Sequence, residues 1–141
     1  MSETQEERAE DMAATFEMLG DWEERYGYLM DLGRKLPPMD AAEKIEPNRI
    51  HGCQSQVWVT PKPQSETFDF AADSDSAIVK GLIAVLRNVY ADETANNIVA
   101  FDVEGYLKQL GLDENLSMNR RNGLNGMIQR IKTLAAQTDV G

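Results

Sequence analysis

Cysteine occurs once in this chain, at Cys53, within Ile50-His51-Gly52-Cys53-Gln54-Ser55-Gln56. A thiolate is a strong nucleophile at neutral pH and exchanges sulfur with other thiols and disulfides. A lone cysteine is commonly a small buried hydrophobe. Here a glycine precedes it and three polar residues follow. That context suits an irregular tip leading into Val57-Trp58-Val59, not the interior of a strand or helix. On position alone both readings stand. His51, the single histidine, lies two residues away and would favour the thiolate when protonated. It reads equally well as an ordinary exposed loop histidine. No Asp or Asn at a recognisable spacing serves as its orienter, so support for a Cys–His hydrolase is weak.

Other chemistries are excluded more firmly. One cysteine permits no internal disulfide and no cysteine cluster for zinc or iron–sulfur binding. No EF-hand spacing, His-rich tract or glycine-rich phosphate loop is present, so neither metal nor resident cofactor is expected. Lys80 lacks the companions of a Schiff-base lysine. Lys and Arg number 14 against 24 Asp and Glu, for a formal charge of -10. Such a field repels phosphate, so neither nucleic acid nor an anionic membrane is an expected partner. The opening MSETQEERAED is polar and acidic, unlike a secretory signal, and no run approaches the ~20 apolar residues of a membrane helix. A cytoplasmic location is expected.

The 141 residues, 42% of them hydrophobic, suffice for one domain with a real core. Residues 1–10 read as disordered. A helix is expected near Ala9–Leu19, with Met12, Phe16 and Leu19 on one stripe, ended by Gly20. Asp21 and Glu24 open a second helix that carries Trp22, Tyr26, Leu29 and Leu32 to about Lys35, before Pro37-Pro38. Met39–Arg49 reads as connecting chain. Gln56–Thr60 and Thr67–Ala71 read as an antiparallel hairpin around a turn at Pro61–Glu66, with a further short strand at Arg49–His51. Asp73-Ser74-Asp75-Ser76 caps an apolar helix, Ala77–Tyr90, with Ile78, Leu82, Val85, Leu86 and Val89 inward. Helices at Thr94–Ala100 and Val103–Leu110 precede a last one from Ser117 to about Gln137. Gly123 and Gly126 inside it each cost about 1 kcal/mol relative to Ala, which points to close packing or a bend. The class is α+β, a small antiparallel sheet of about three strands packed with helices.

Three blocks carry a family resemblance. Ile50-His51-Gly52-Cys53-Gln54-Ser55-Gln56-Val57-Trp58-Val59 resembles the signature of the SufE family of sulfur acceptors. Asp73-Ser74-Asp75-Ser76-Ala77-Ile78-Val79-Lys80-Gly81-Leu82-Ile83-Ala84 and Leu116-Ser117-Met118-Asn119-Arg120-Arg121-Asn122-Gly123-Leu124 are similar to two further blocks of that family, in its order and spacing. The likeness runs from about Phe16 to Ala136. Ala72 and Met118 depart from it, standing where glycine and proline are common. The resemblance implies a single SufE-like domain over 1–141, similar to the iron–sulfur scaffold fold, with the acceptor cysteine on a loop at the sheet edge.

It also implies a function. Cys53 would take sulfane sulfur from the persulfide of a SufS-like cysteine desulfurase, stimulate that enzyme, and deliver sulfur to a SufBCD-like iron–sulfur scaffold complex. No independent turnover is expected, and the protein would act as a monomer or weak homodimer. Gly52 would give the loop backbone freedom, and Trp58 and the Ile78–Val85 face would wall a pocket or simply fill the core. Arg120, on the family's recurrent arginine, would favour the thiolate or solvate its helix start. His51, Gln54, Ser55, Asp73 and Asp75 would support the site or dock the partner. Gln54-Ser55-Gln56 favours this branch over the CsdE-like acceptors of a second desulfurase. A passive adaptor and a self-sufficient thiol enzyme are the competing classes.

Overall fold

The computed structural model describes residues 4–51, 55–62 and 67–138. In chain order these form α1 (Gln5–Met18), α2 (Trp22–Arg34), two short 3-10 turns (Ala41–Glu43 and Glu46–Asn48), β1 (Val57–Lys62), β2 (Asp69–Ser74), α3 (Ala77–Tyr90), α4 (Ala95–Ala100), α5 (Val103–Gln109) and α6 (Met118–Thr138). The class is α+β: six helices around a two-stranded antiparallel sheet.

Helix α3 decides where everything else sits. Ser76 caps it, accepting from the Val79 amide. Val85, Leu86, Val89 and Tyr90 are wholly buried, because α1, α2, β2 and α6 all pack on it. Burial of each such side chain is worth about 1.5–3 kcal/mol before entropy is counted. The closest seam is with α2. A methyl at Gly81 would overlap the Leu29 carbonyl and come within 2.8 Å of Leu29 Cβ; one at Gly33 would come within 2.7 Å of Lys80 Cβ. Only two facing glycines let these backbones approach so closely.

The sheet pairs Val57 with Ser74 and runs to Lys62 opposite Asp69. Two features differ from the sequence reading. The strand expected at Arg49–His51 is a single bridge, Arg49 to Trp58, so the sheet has two strands and not about three. The 3-10 turn containing Pro47 leaves too few extended residues before His51 to continue a ladder. The return strand runs Asp69–Ser74, not Thr67–Ala71, because Lys44 and Lys80 neutralise Asp73 and let it sit in a strand. Of the expected turn, Pro61 and Lys62 belong to β1 and the remainder lies outside the described residues.

Helix α1 begins at Gln5, so most of the segment read as disordered is ordered. Thr4 accepts from the Glu7 amide at 3.1 Å and Glu7 from the Thr4 amide at 3.0 Å, a reciprocal cap. Gln5 donates to the Val89 carbonyl at 2.8 Å, and Arg8 pairs with Glu93, which ties α1 to the end of α3. In α6, the expected Leu124, Met127, Ile128, Ile131 and Leu134 are all buried.

Candidate functional site

The chain on either side of Cys53 is drawn together. The Ile50 amide donates to the Val57 carbonyl at 2.8 Å, next to the Arg49–Trp58 bridge. Residues 51–56 therefore connect the two sides of a narrow stem. Asp75 fastens the downstream side: its carboxylate accepts from the Gln56 amide at 3.0 Å and its amide donates to the Gln56 carbonyl at 3.3 Å. Gly52, Cys53 and Gln54 lie outside the described residues, so the expectations placed on them are taken up below.

A cavity of about 120 Å³ opens beside this stem. Val57, Val79, Leu82, Leu124 and Met127 supply its apolar wall; Ser55, Ser117, Asn119 and Arg120 supply its polar lining. Helices α3 and α6 both begin here. Ser117 accepts from the Arg120 amide at 3.3 Å, as Ser76 does from Val79, so two helix N-termini bring partial positive charge to one place. The Arg120 guanidinium bridges them, donating from Nη1 to Ser76 Oγ at 3.0 Å. Among the described residues that partner is a neutral hydroxyl and not a carboxylate, so the full charge of Arg120 remains. An apolar hollow beside that cation suits a large, polarisable anion such as a thiolate or a persulfide.

The other expected residues divide. Ser55 and Arg120 meet at the cavity. Asp75 holds the stem and does not cap α3, which Ser76 does. Asp73 is engaged elsewhere, with Lys44 Nζ 2.8 Å and Lys80 Nζ 3.7 Å from its carboxylate. Partial burial pushes its carboxyl upward, but the Lys44 bond, the Ser74 amide and the two ammonium charges outweigh that and hold it below the usual range. Trp58 alternates with Val57 along β1 and so does not wall the cavity; its half-buried ring lies 5.6 Å under the Lys44 ammonium. His51 is 67% exposed and reaches Glu46 at 3.0 Å.

Sequence reasoning passed over Lys44, whose tie to Asp73 carries no local signal, and Asn119 and Gly123 as lining residues. Those two were within reach, since both stand in the block that contains Arg120.

No helix of the described residues is long and apolar enough to cross a membrane. Residues 10–135 match the SufE family, described as an Fe-S metabolism associated domain. An uncharacterised SufE-like protein of Rhizobium etli is 39% identical over 121 residues, 83% of this chain and 82% of that one. A solution structure of a hypothetical protein from Thermus thermophilus superposes with a TM-score of 0.78, covering 95% of this chain and 97% of that one. At 20% identity, that likeness speaks for the fold alone. On the family match and the Rhizobium relative together, the chain belongs to the SufE family and to iron–sulfur metabolism.

Proposed function

We propose that this protein is a sulfur acceptor and carrier whose Cys53 takes sulfane sulfur from a cysteine desulfurase. The Cys53 thiolate attacks the outer sulfur of the desulfurase persulfide. A sulfur–sulfur bond forms to Cys53, and the bond between that sulfur and the desulfurase cysteine breaks. The electron pair leaves on the desulfurase as its thiolate, and the proton stays with the transferred sulfur. The exchange is redox-neutral and needs no metal or cofactor. By emptying the desulfurase cysteine, the reaction stimulates that enzyme without any turnover of its own. A second exchange passes the sulfur to an iron–sulfur scaffold. A SufS-like donor, a SufBCD-like recipient and a cytoplasmic setting belong to this reading.

The observation that carries it is the cavity beside the stem. Two peptide units hold Cys53 Cα within about 7 Å of that of Ser55, which lines the hollow. A thiolate or persulfide that entered the hollow would meet the Arg120 charge and two helix starts, which favour an anion. The apolar wall limits access by the thiols and oxidants in solution that consume persulfides. Gly52 and Gln54 flank the thiol in this scheme, and Asp75 keeps their stem closed.

Incubation with a desulfurase and cysteine, followed by intact mass, is the direct test: one sulfur, about 32 Da, should map to Cys53. Cys53→Ser should bind the desulfurase yet stimulate no sulfide release, with less than about 1 kcal/mol lost in stability. Full stimulation by Cys53→Ser would overturn the proposal in favour of an adaptor. Sulfur turnover without any desulfurase would point to a self-sufficient thiol enzyme.

A further inference from the structure

Helix α6 touches the Cys53 stem at more than the cavity wall. One turn beyond Gly123, which lines the hollow, Gly126 faces Ile50: a methyl there would lie 2.9 Å from Ile50 Cγ2, closer than carbon atoms approach. One turn further, Arg130 Nη2 donates to the Pro47 carbonyl at 3.3 Å and the Val59 carbonyl at 3.5 Å, so it holds chain on both sides of the stem. Ile50 is 7% exposed, and its amide closes the stem on Val57. Gly126 thus stands where α6 receives the last buried side chain before the cysteine.

A glycine in mid-helix is costly, about 1 kcal/mol against alanine, and Gly126 lies well inside α6. The site it faces explains the cost. Ile50 Cγ2 is a branch methyl on a side chain that is stiff at χ1, so it has no easy rotation away from an added carbon. An alanine at 126 would displace Ile50 and, through the Ile50–Val57 bond, the mouth of the 51–56 connection. We propose that Gly126 is a positioning residue for Cys53: acting through Ile50, it seats the stem on α6 and so sets how accessible the thiol is in the free protein. The proposal rests on Cys53 being the acceptor, and its test is chosen to be independent of sulfur transfer.

The readout is the rate of Cys53 alkylation by iodoacetamide, followed by mass on the full chain across pH. Gly126→Ala should raise the plateau rate about fivefold, as local opening of the segment becomes easier. The midpoint of the pH profile should stay where it is, because exposure changes and the neighbouring charge does not. Ile50→Leu removes Cγ2 and keeps the side-chain volume, so alone it should alter the rate less than about twofold. Joined to Gly126→Ala, it should bring the rate back to within about twofold of the parent, a non-additivity that distant, independent sites do not show. Ile98→Val, a core change in α4, is the control for general loosening and should leave the rate unchanged.

A folded Gly126→Ala protein that alkylates at the parent rate would overturn the proposal. So would a double variant no slower than Gly126→Ala, an Ile98→Val protein equally accelerated, or a shifted midpoint. Should Gly126→Ala not fold, Ile50→Ala empties the seat from the other side without adding atoms. It must then accelerate alkylation, and an unchanged rate refutes the seat. A Cys53 that accepts no sulfur but follows this alkylation pattern would end the acceptor reading and leave the positioning role standing.

Discussion

Two of the seams in this molecule that use glycine to bring chain segments together differ in what the glycine meets. At the α2–α3 seam, Gly33 and Gly81 face backbone: the Leu29 carbonyl on one side, the Gly81 amide at 2.9 Å on the other. At the α6–stem seam, Gly126 faces one methyl, Ile50 Cγ2. Backbone within a helix cannot yield, whereas a side chain on a short stem moves with that stem. The first seam therefore carries the fold, and on the proposed reading the second carries the seating of the stem on either side of Cys53.

Gly81→Ala should break the comparison most violently. Overpacking two rigid helices costs about 3 kcal/mol, partly relieved by the gain in helix propensity, and the thermal midpoint should fall by about 5–10 °C. Denaturant melts followed by circular dichroism would read this, and a loss below about 0.5 kcal/mol would show that the seam yields after all. The surviving folded molecules should alkylate at Cys53 as the parent does.

Arg120→Ala sharpens the other side. Removing a cation disfavours a nearby thiolate, so Cys53 alkylation near pH 7 should slow about 3- to 10-fold and converge with the parent at alkaline pH, where the thiol is ionised regardless. Stability should change by no more than about 1 kcal/mol, since one hydrogen bond to Ser76 is lost. Equal rates at pH 7 would remove Arg120 from the site.

A smaller effect belongs to Asp75→Ala. It frees the Gln56 amide at an exposed position and should cost about 0.5–1 kcal/mol. Amide exchange should quicken at Gln56 and Val57, with no change at Leu29 or Leu82. Exchange raised evenly over the chain would contradict a role confined to the stem.

Asp73 supplies the smallest effect and a pH signature. Its carboxyl is held below the usual range in the folded protein, so the stabilisation it confers is complete above the unfolded value near 3.9. It is lost as pH falls through the lower folded value. Asp73→Asn should therefore lower stability by less than about 1 kcal/mol at neutral pH, with the gap closing as the pH falls through the lowered carboxyl value. A gap that widens in acid would reverse the assigned sign.

How legible all this was depended on the distance over which the cause acts. The α6 stripe from Leu124 to Leu134 is a local periodicity and was read directly. So was the Asp21 cap of α2, which accepts from the Glu24 amide at 2.9 Å. Thr4 and Glu7 are just as local, but an acidic, polar opening reads as disorder. Asp73 was misjudged for the opposite reason: in a row of Asp and Ser it looks like a cap, and the lysine that claims it arrives from a 3-10 turn far upstream. Arg120 was recognisable from its block, while the hydroxyl it grips, Ser76, is a tertiary fact. At Gly126 the cost of a helical glycine was visible and the methyl that demands it was not.

The Ile50–Val57 hydrogen bond has a further consequence, in chain statistics. The length-dependent part of the cost of bringing together the ends of a six-residue connection is about 1.6 kcal/mol by the logarithmic law of loop closure. Because the stem is closed by the fold, that entropy is surrendered once, when the chain folds, and not again at each encounter with the sulfur donor proposed above. The same law makes length cheap: a connection twice as long would cost only about 0.6 kcal/mol more. Stability therefore limits the span from His51 to Gln56 only weakly, and on the proposed reading its size answers to how far the Cys53 thiol must reach.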